Sequence, residues 1–198
     1  PMASAAGYDF IRGWVGDDAL SVVANSSDNA VRIPGNMRPH SVAVHPSPTL
    51  QVAVGWRSPV ADSLRIAGSV QHAHPECGNG VGWALELRRG NSRQRLATGV
   101  SQGAAVVSFG PFESVSVQPG DLISLVINPR DGNHSCDLTA IELSLASATQ
   151  SWNLAQDVSP DILAANPHAD RLGNKEVWHF YSEPVSQNND HVIPTGSL

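Results

Sequence analysis

The chain has 198 residues, of which 15% are charged, and its formal net charge is −6. This length suffices for one well-buried core, while the scatter of the 12 basic residues argues against a nucleic-acid partner. The sequence has no apolar run of the roughly 20 residues that a membrane-spanning helix requires.

Residues 1–44 are predicted to form an N-terminal segment that packs on the main domain. Apolar runs at residues 19–23, 31–33 and 41–44 predict short strands, with turn-forming Asn, Asp, Pro and Gly between them. The opening run PMASAAGYDF lacks the basic and apolar regions of a signal peptide. Because its first proline precedes a methionine, we expect the chain to be a segment of a longer protein.

Residues 45–147 alternate apolar and polar side chains in several successive stretches. The stretches are residues 50–56, 64–70, 81–87 and 139–145. A period of two places every second side chain on one face of a sheet, so each stretch predicts a half-buried strand. Strands this close together, separated by turn residues, indicate an all-β, antiparallel β-sandwich with Trp56 and Trp83 inside. The densest basic group is expected at a solvated hairpin end and comprises Arg88, Arg89, Arg93 and Arg95.

Residues 148–185 are predicted to extend the same domain after the alternation ends. Ser159 suits the N-cap of a helix and is followed by a proline, so a short C-terminal helix is predicted over residues 160–165. The aromatic run that ends at residue 184 predicts one last strand. Residues 186–198 are predicted to be a tail or a linker.

Several runs within the alternating region resemble one widespread family of modules. They are HPSP, VAVGWRSPVADSLRIAGSV, GNGVGWALEL, VQPGDLISLVINP and GNHSCDLTAIEL. They resemble a jelly-roll module that is appended to large extracytoplasmic bacterial proteins, including glycoside hydrolases. The run NPHADRLGNKEVWHFYSEP also looks like domains inside planctomycete-type multidomain cytochromes. The resemblance implies a jelly roll in a periplasmic or secreted protein. The missing C-x-x-C-H motif indicates that this segment carries no haem.

Two cysteines, Cys77 and Cys136, lie in loops that each precede a predicted strand. In a sandwich the two loops can lie at the same end, and an extracytoplasmic setting favours a disulfide between them. A reduced pair remains an alternative. So does a metal site with His72, His74 or His134, although zinc ligands usually come in close pairs along the chain.

Acidic and amide side chains predict a calcium site. Ca²⁺ takes six to eight oxygen ligands, which loops supply through carboxylates, amides and carbonyls. The candidate ligands are Asp17, Asp18, Asp131, Asn133 and Asp137. The resemblance supports this site, since many jelly-roll carbohydrate binders hold a structural calcium between the N-terminal segment and the final strand. The alternative is that these side chains cap turns through hydrogen bonds to the backbone.

Aromatic side chains outside the alternation are candidates for a sugar-binding platform. Trp178 with Tyr181 is the main candidate and Trp14 a further one, with His72 and His74 as polar contacts. The alternative is that the aromatic rings fasten the C-terminal region onto the sandwich.

The resemblance implies a non-catalytic carbohydrate-binding module whose partner is an oligosaccharide or polysaccharide. A scaffold that docks neighbouring domains of the parent chain is the first alternative. A metal-dependent hydrolase is the second, and it requires His72, His74 and an acid to converge. The sequence contains no G-x-S-x-G, H-E-x-x-H or phosphate-binding loop.

Overall fold

The computed structural model describes residues 1–185 and 198, which form an antiparallel, all-β sandwich with one short helix. The elements in chain order are β1 (Ile11–Val15), β2 (Ser21–Asn25), β3 (Val31–Arg32), β4 (Asn36–Met37), β5 (Ser41–His45), β6 (Leu50–Arg57), β7 (Asp62–His72), β8 (Val81–Arg89), β9 (Ser92–Ser101), β10 (Val107–Val117), β11 (Leu122–Pro129), β12 (Thr139–Ala146), β13 (Ser151–Asn153), α1 (Leu154–Val158) and β14 (Trp178–Pro184). The predicted fold class is therefore confirmed.

The strand order of the two main sheets is that of a jelly roll. The first sheet runs β1-β2-β5-β12-β7-β10, with β13 paired to β12, and the second runs β14-β6-β11-β8-β9. Within them, β5-β12-β7-β10 and β6-β11-β8-β9 form the eight-stranded double Greek key of this fold. The strands β1, β2 and β14 widen that framework at its edges.

The core between the sheets follows the alternation seen in the sequence. Trp56 is fully buried and Trp83 is 5% exposed, so the prediction that both indoles lie inside is confirmed. Trp56 meets Trp152 edge-on with ring centroids 4.8 Å apart, and Trp83 lies 5.3 Å from Phe109. Aromatic rings in such contacts stabilise a core beyond the apolar area they bury.

The N-terminal segment adds β1 and β2 to the first sheet and covers part of its outer face. A second apolar cluster lies there and comprises Ile11, Val23, Met37, Ala43, Ala73, Leu138 and Ala140. Met2 and Gly13 exchange backbone hydrogen bonds of 2.7 and 3.0 Å, which fold the first residues back over β1. The sequence did not predict β1, and β2 begins two residues after the start predicted for it.

The helix predicted over residues 160–165 is wrong. The helix α1 begins at Leu154, where the Asn153 side chain caps it by accepting a hydrogen bond from the Gln156 backbone N–H at 3.0 Å. Ser159 is therefore a C-cap and not an N-cap. The earlier start buries the apolar side chains of α1 in the core, whereas the chain after Ser159 forms turns.

The predicted last strand is confirmed as β14, which pairs with β6 so that Trp178 lies opposite Trp56. The predicted tail, residues 186–198, lies outside the described residues apart from Leu198, whose backbone N–H donates to the Phe180 carbonyl at 3.0 Å. Among the residues described, no helix is long and apolar enough to cross a membrane.

The arginines at the β8–β9 hairpin do not all face solvent as expected. Arg88 is fully buried and donates two hydrogen bonds, of 2.8 and 3.1 Å, to Glu183 and one of 3.0 Å to Glu86. Arg93 reaches the same two carboxylates at 2.6 Å each, whereas Arg95 is exposed. Two of the four arginines therefore link β8 and β9 to β14 across the second sheet and leave the hairpin tip solvated.

Candidate functional site

The jelly-roll topology brings together three loops that are far apart in the sequence. Thr139, at the start of β12, lies opposite Val44 near the end of β5 and opposite His72 at the end of β7. Because both pairings are antiparallel, the residues after β5, after β7 and before β12 meet at one end of the first sheet. His45, His74 and the loop before β12 therefore lie close together.

A groove of about 600 Å³ opens at this end of the sheet, between the three loops and the N-terminal segment. We call it the end groove. Its lining residues are Met2, Ala5, Val15, Gly16, Ala19, Leu20, Ser21, Val23, Ile33, Pro34, His45, His74, Ser135, Cys136 and Leu138. Aliphatic side chains dominate this set, and hydroxyl and imidazole groups supply its polar atoms. An open, mostly apolar concavity with a few polar groups is the usual form of a ligand site.

Two imidazoles, those of His45 and His74, line the end groove, and a third, that of His134, lies beside His45. The rings of His45 and His134 stand edge to face with centroids 6.1 Å apart. Burial lowers the pKa of His45, and the nearby His134 and His74 lower it further, although a hydrogen bond to the Pro46 carbonyl opposes both effects. Since a carbonyl can only accept, Nδ1 of His45 donates in that 2.7 Å bond, which leaves a lone pair on Nε2.

The predicted disulfide between Cys77 and Cys136 is confirmed and lies beside the imidazoles. The Cα atoms are 5.7 Å apart, and Nε2 of His74 is 3.6 Å from Sγ of Cys77. His74 also lies 4.0 Å from the exposed Glu76, which pairs with Arg32. The disulfide thus holds the loop after β7 to the loop before β12, and its Cys136 lines the end groove.

His72 and His74 do not form the pair that a metal-dependent hydrolase requires. His72 is 1% exposed, and its Nε2 bonds to the Cys136 carbonyl at 2.7 Å. Within the described part of the chain, the His, Cys and acidic residues whose ligand atoms converge are His74, Cys77 and Cys136, within 4.8 Å of one another. Glu76 approaches His74 at 4.0 Å but does not converge with both sulfurs. The bond of His72 to the Cys136 carbonyl makes it a structural residue of β7.

One predicted calcium ligand, Asp137, is buried without a hydrogen-bond partner. Asp137 is fully buried, and neither oxygen of its carboxylate has a hydrogen-bond partner. Burial raises the pKa of Asp137 to about 7, and the charge of Arg130 acts in the opposite direction. The buried side-chain oxygen of Asn79 is also without a partner, and Asn79 exchanges hydrogen bonds of 3.0 and 2.5 Å with Arg130. Carboxylate and amide oxygens of this kind suit a hard cation.

The other four predicted calcium ligands do not join Asp137. Asp17, Asp18, Asp131 and Asn133 are exposed, and no group of three acids converges among the residues described. The Asn133 side chain accepts a hydrogen bond from the Ser135 backbone N–H at 3.0 Å, as a turn-capping residue does. The five residues therefore do not converge on one site, and Asp137 stands apart from the other four.

The predicted aromatic platform is also wrong, because its two main rings are inside the protein. Trp178 is fully buried and donates to Asp157 at 2.9 Å, while Tyr181 is 3% exposed and bonds to Ser124 at 2.5 Å. Trp14 is half-buried, and its indole N–H donates to the Ile162 carbonyl at 3.0 Å. Buried rings cannot stack on a sugar, so the alternative role of fastening the C-terminal region describes these residues.

The sequence did not single out the apolar walls of the end groove. Leu20, Ile33 and Leu138 belong to three different segments, and each follows a local pattern typical of ordinary strand or loop residues. His45 was visible only as a histidine before a proline. The sequence could have predicted this site only if the pairing of β5 and β7 with β12 had been known.

Comparison of the chain with protein-family models, with curated proteins and with solved structures gave no match. The functional conclusion therefore rests on the end groove, the neighbouring disulfide and the unpartnered carboxylate of Asp137. All three lie around the loop before β12, which contributes Ser135, Cys136 and Leu138 to the groove.

Proposed function

We propose that the chain is a non-catalytic carbohydrate-binding module whose ligand lies in the end groove. The observation that carries the proposal is the concavity itself, which combines aliphatic walls with the imidazoles of His45 and His74. Imidazole and hydroxyl groups can exchange hydrogen bonds with sugar hydroxyls, while aliphatic walls accept the C–H face of a sugar ring. The aromatic platform that the sequence suggested has no part in this site.

The character of the lining also indicates which carbohydrate would fit. Unsubstituted glucans present hydroxyl groups on every edge, and burying a hydroxyl without a partner costs free energy. Met2, Leu20, Ile33 and Leu138 offer no such partners. Sugars with methyl or acetyl substituents, such as 6-deoxyhexoses, therefore fit this groove better than plain glucans. Affinity in the micromolar to millimolar range, roughly −8 to −4 kcal/mol, is expected for such a shallow site.

Calorimetric titration with 6-deoxyhexose-rich and unsubstituted oligosaccharides tests the proposal. Ser135→Trp places an indole at the exposed rim of the groove and should abolish binding. Ser108→Trp is the matched control, because Ser108 is exposed on β10, at the opposite edge of the first sheet. Release of shortened sugars from the bound ligand would contradict a non-catalytic role, and equal binding by both variants would contradict the site.

The same apolar lining supports a second candidate, a scaffold role in which a neighbouring domain of the parent chain inserts an apolar segment. Extracytoplasmic location is part of both candidates, and the disulfide is compatible with it. Cross-linking from Ser135→Cys in the longer parent protein tests this role. Capture of the adjoining domain by that cross-link, together with no saturable heat from any saccharide, would support the scaffold role and contradict carbohydrate binding.

Calcium bound at Asp137 is a further part of the proposal, with the side-chain oxygen of Asn79 as a second ligand. The support is that both groups are buried and without hydrogen-bond partners. Calcium should raise the melting temperature of the wild type relative to a chelator, and Asp137→Asn should remove that increase. Asp131→Asn is the control, because Asp131 is exposed. A calcium effect that survives Asp137→Asn would place the ion elsewhere.

A further inference from the structure

One imidazole and two cysteine sulfurs lie together beside the end groove. Imidazoles and reduced cysteines are ligands for thiophilic metals. The ligand atoms of His74, Cys77 and Cys136 lie within 4.8 Å of one another. In the oxidised protein the two sulfurs are bonded together, and a disulfide sulfur is a poor metal ligand because the thiolate is the ligand form of cysteine. The metal-binding capacity of this cluster is therefore set by the oxidation state of the disulfide.

The two loops that carry the cysteines are fastened to each other independently of the disulfide. The Ala73 N–H donates to the Leu138 carbonyl at 2.8 Å, and His72 bonds to the Cys136 carbonyl at 2.7 Å. On the other side of Cys77, Asn79 and the backbone of Arg130 share a bond of 3.0 Å. These bonds hold the loops together when the S–S bond is opened, so the two sulfurs stay close to His74.

The fourth ligand of the site that we infer is His45, which lies outside the converging group and must move toward the sulfurs to complete it. His45 lines the end groove together with His74 and Cys136. Because Nδ1 of His45 donates to the Pro46 carbonyl, the lone pair of this imidazole is on Nε2, and the carbonyl fixes the ring in that tautomer. Backbone carbonyls hold metal-binding histidines in this way in established sites. Two thiolates and two imidazoles are a ligand set that Zn²⁺ takes in tetrahedral structural sites.

We propose that reduction of the Cys77–Cys136 disulfide creates a metal site for Zn²⁺ or a similar thiophilic ion, with His74 and His45 as the remaining ligands. A dithiol reductant supplies the two electrons. Its thiolate attacks the sulfur of Cys77, the more exposed cysteine, and its second thiol then displaces Cys77 from the mixed disulfide. The products are an oxidised reductant and two cysteine thiols, which release two protons to solvent when the metal binds.

This site does not depend on the proposed carbohydrate ligand, because it is built from the cluster of His74, Cys77 and Cys136 together with His45. In the oxidised protein the disulfide ties the loops, and in the reduced protein the metal would tie the same loops in its place. The metal would then lie at the rim of the end groove, since Cys136 and both histidines line it. The redox state of the surroundings would thus decide whether the disulfide or the metal links the two loops.

Titration of the reduced, dithiol-treated protein with Co²⁺ tests the proposal, because thiolate-bound tetrahedral cobalt has distinctive absorption. We expect a thiolate-to-cobalt charge-transfer band with the reduced protein, its displacement by Zn²⁺, and no band with the oxidised protein. His74→Gln or His45→Gln should weaken binding by at least the roughly 10- to 100-fold that loss of an outer-shell partner costs. His40→Gln is the control, since His40 is exposed and bonds to Asp28.

A melting experiment separates a folded site from thiols that bind metal in an unfolded chain. Zn²⁺ should raise the melting temperature of the reduced wild type and leave that of the oxidised protein unchanged. The proposal is overturned if Zn²⁺ fails to raise the melting temperature of the reduced protein. It is also overturned if the variants at His74 and His45 bind Co²⁺ as tightly as the control variant does.

Discussion

Asp137 combines full burial with a carboxylate that has no hydrogen-bond partner. It lies just before β12, and burial raises its pKa to about 7. An unfolded aspartate titrates near pH 4, so between about pH 4 and pH 7 the folded protein binds more protons than the unfolded chain. The free energy of unfolding therefore falls as the pH rises through this window, by up to about 1.4 kcal/mol per pH unit.

Asp137→Asn should remove this contribution, because an amide cannot ionise. In calcium-free buffer the variant should be more stable than the wild type at pH 8 and close to it at pH 4, as measured by urea denaturation. Identical pH profiles for the two proteins would show that Asp137 has an ordinary pKa. At pH 8, calcium should reduce the difference in stability between the variant and the wild type, since the ion compensates the carboxylate charge of Asp137 in the wild type.

Trp178 shows how a residue suited to sugar binding can instead belong to the core. Its alternation with Phe180 in β14, where both are fully buried, is a signal that the sequence did contain. Trp178→Ala removes a large buried ring and its hydrogen bond to Asp157, so unfolding should become easier by about 3–5 kcal/mol. Trp178→Phe keeps most of the ring and should cost less than half as much.

Thermal and chemical denaturation of the two Trp178 variants measure these losses directly. Both variants should retain any saccharide affinity of the wild type under conditions where they remain folded. A Trp178→Ala protein with unchanged stability and no saccharide binding would restore the platform that the burial of this ring argues against.

The strands β8, β9 and β14 are joined by a buried ion-pair network. Arg88 and Arg93 each contact both Glu86 and Glu183. Burial opposes ionisation of Glu183, but hydrogen bonds and charges from the two arginines outweigh it and lower the pKa of Glu183. Its contribution to stability is therefore present above the usual pKa of glutamate and is lost as the pH falls through the lowered value.

Arg88→Met should destabilise the protein by about 3–5 kcal/mol, because it leaves buried carboxylates with one cation fewer. Arg65→Met is the matched control. Arg65 pairs with Glu113 at 2.8 Å on the surface, and loss of an exposed pair should cost less than about 1 kcal/mol. Equal losses in the free energy of unfolding for the two variants, measured by urea denaturation, would contradict the claim that burial makes the Arg88 network more stabilising than the exposed pair. Adding Glu183→Gln to Arg88→Met should recover part of the loss.

The strands that the sequence predicted well are interior strands of the sheets, and some of them alternate between buried and exposed side chains. Strands β7 and β12 alternate in this way, whereas β6 and β8 are buried on both faces, and all four have neighbours on both sides in their sheets. The strands β9 and β10, each the last strand of its sheet, were not predicted, because few of their side chains are buried. Most residues of β9 and β10 are exposed or half-buried, and register shifts interrupt the pairing of both strands.

Of the candidate site, the sequence correctly predicted only the disulfide between Cys77 and Cys136. Loop position and compartment were enough to pair Cys77 with Cys136, because either cysteine had one possible partner in the chain. The end groove instead depends on the strand order β2-β5-β12-β7, which the local sequence does not encode. Asp137 was predicted as a calcium ligand because it follows other acidic and amide residues in one loop. Only the fold shows that its side chain is buried while those of Asp131 and Asn133 are exposed.

At the scale of the whole molecule, the disulfide links two loops 59 residues apart in sequence. A crosslink restricts the unfolded chain, and in the chain-entropy model a loop of this length stabilises the folded state by about 4 kcal/mol. Because hydrogen bonds also join the two loops, we expect the Cys77→Ala/Cys136→Ala double variant to fold. Its melting temperature should be lower by roughly 8–16 °C, given about 2–4 °C per kcal/mol for a domain of this size.

Calorimetry on the double variant and on the oxidised wild type measures this difference, with far-ultraviolet circular dichroism as the check that the sheets remain. A much smaller loss would mean that the unfolded chain already keeps these loops together. A complete loss of fold would mean that the hydrogen bonds at Ala73 and His72 cannot hold them. The predicted intermediate loss requires both restraints to act, the covalent one on the unfolded chain and the hydrogen-bonded one on the folded sheet.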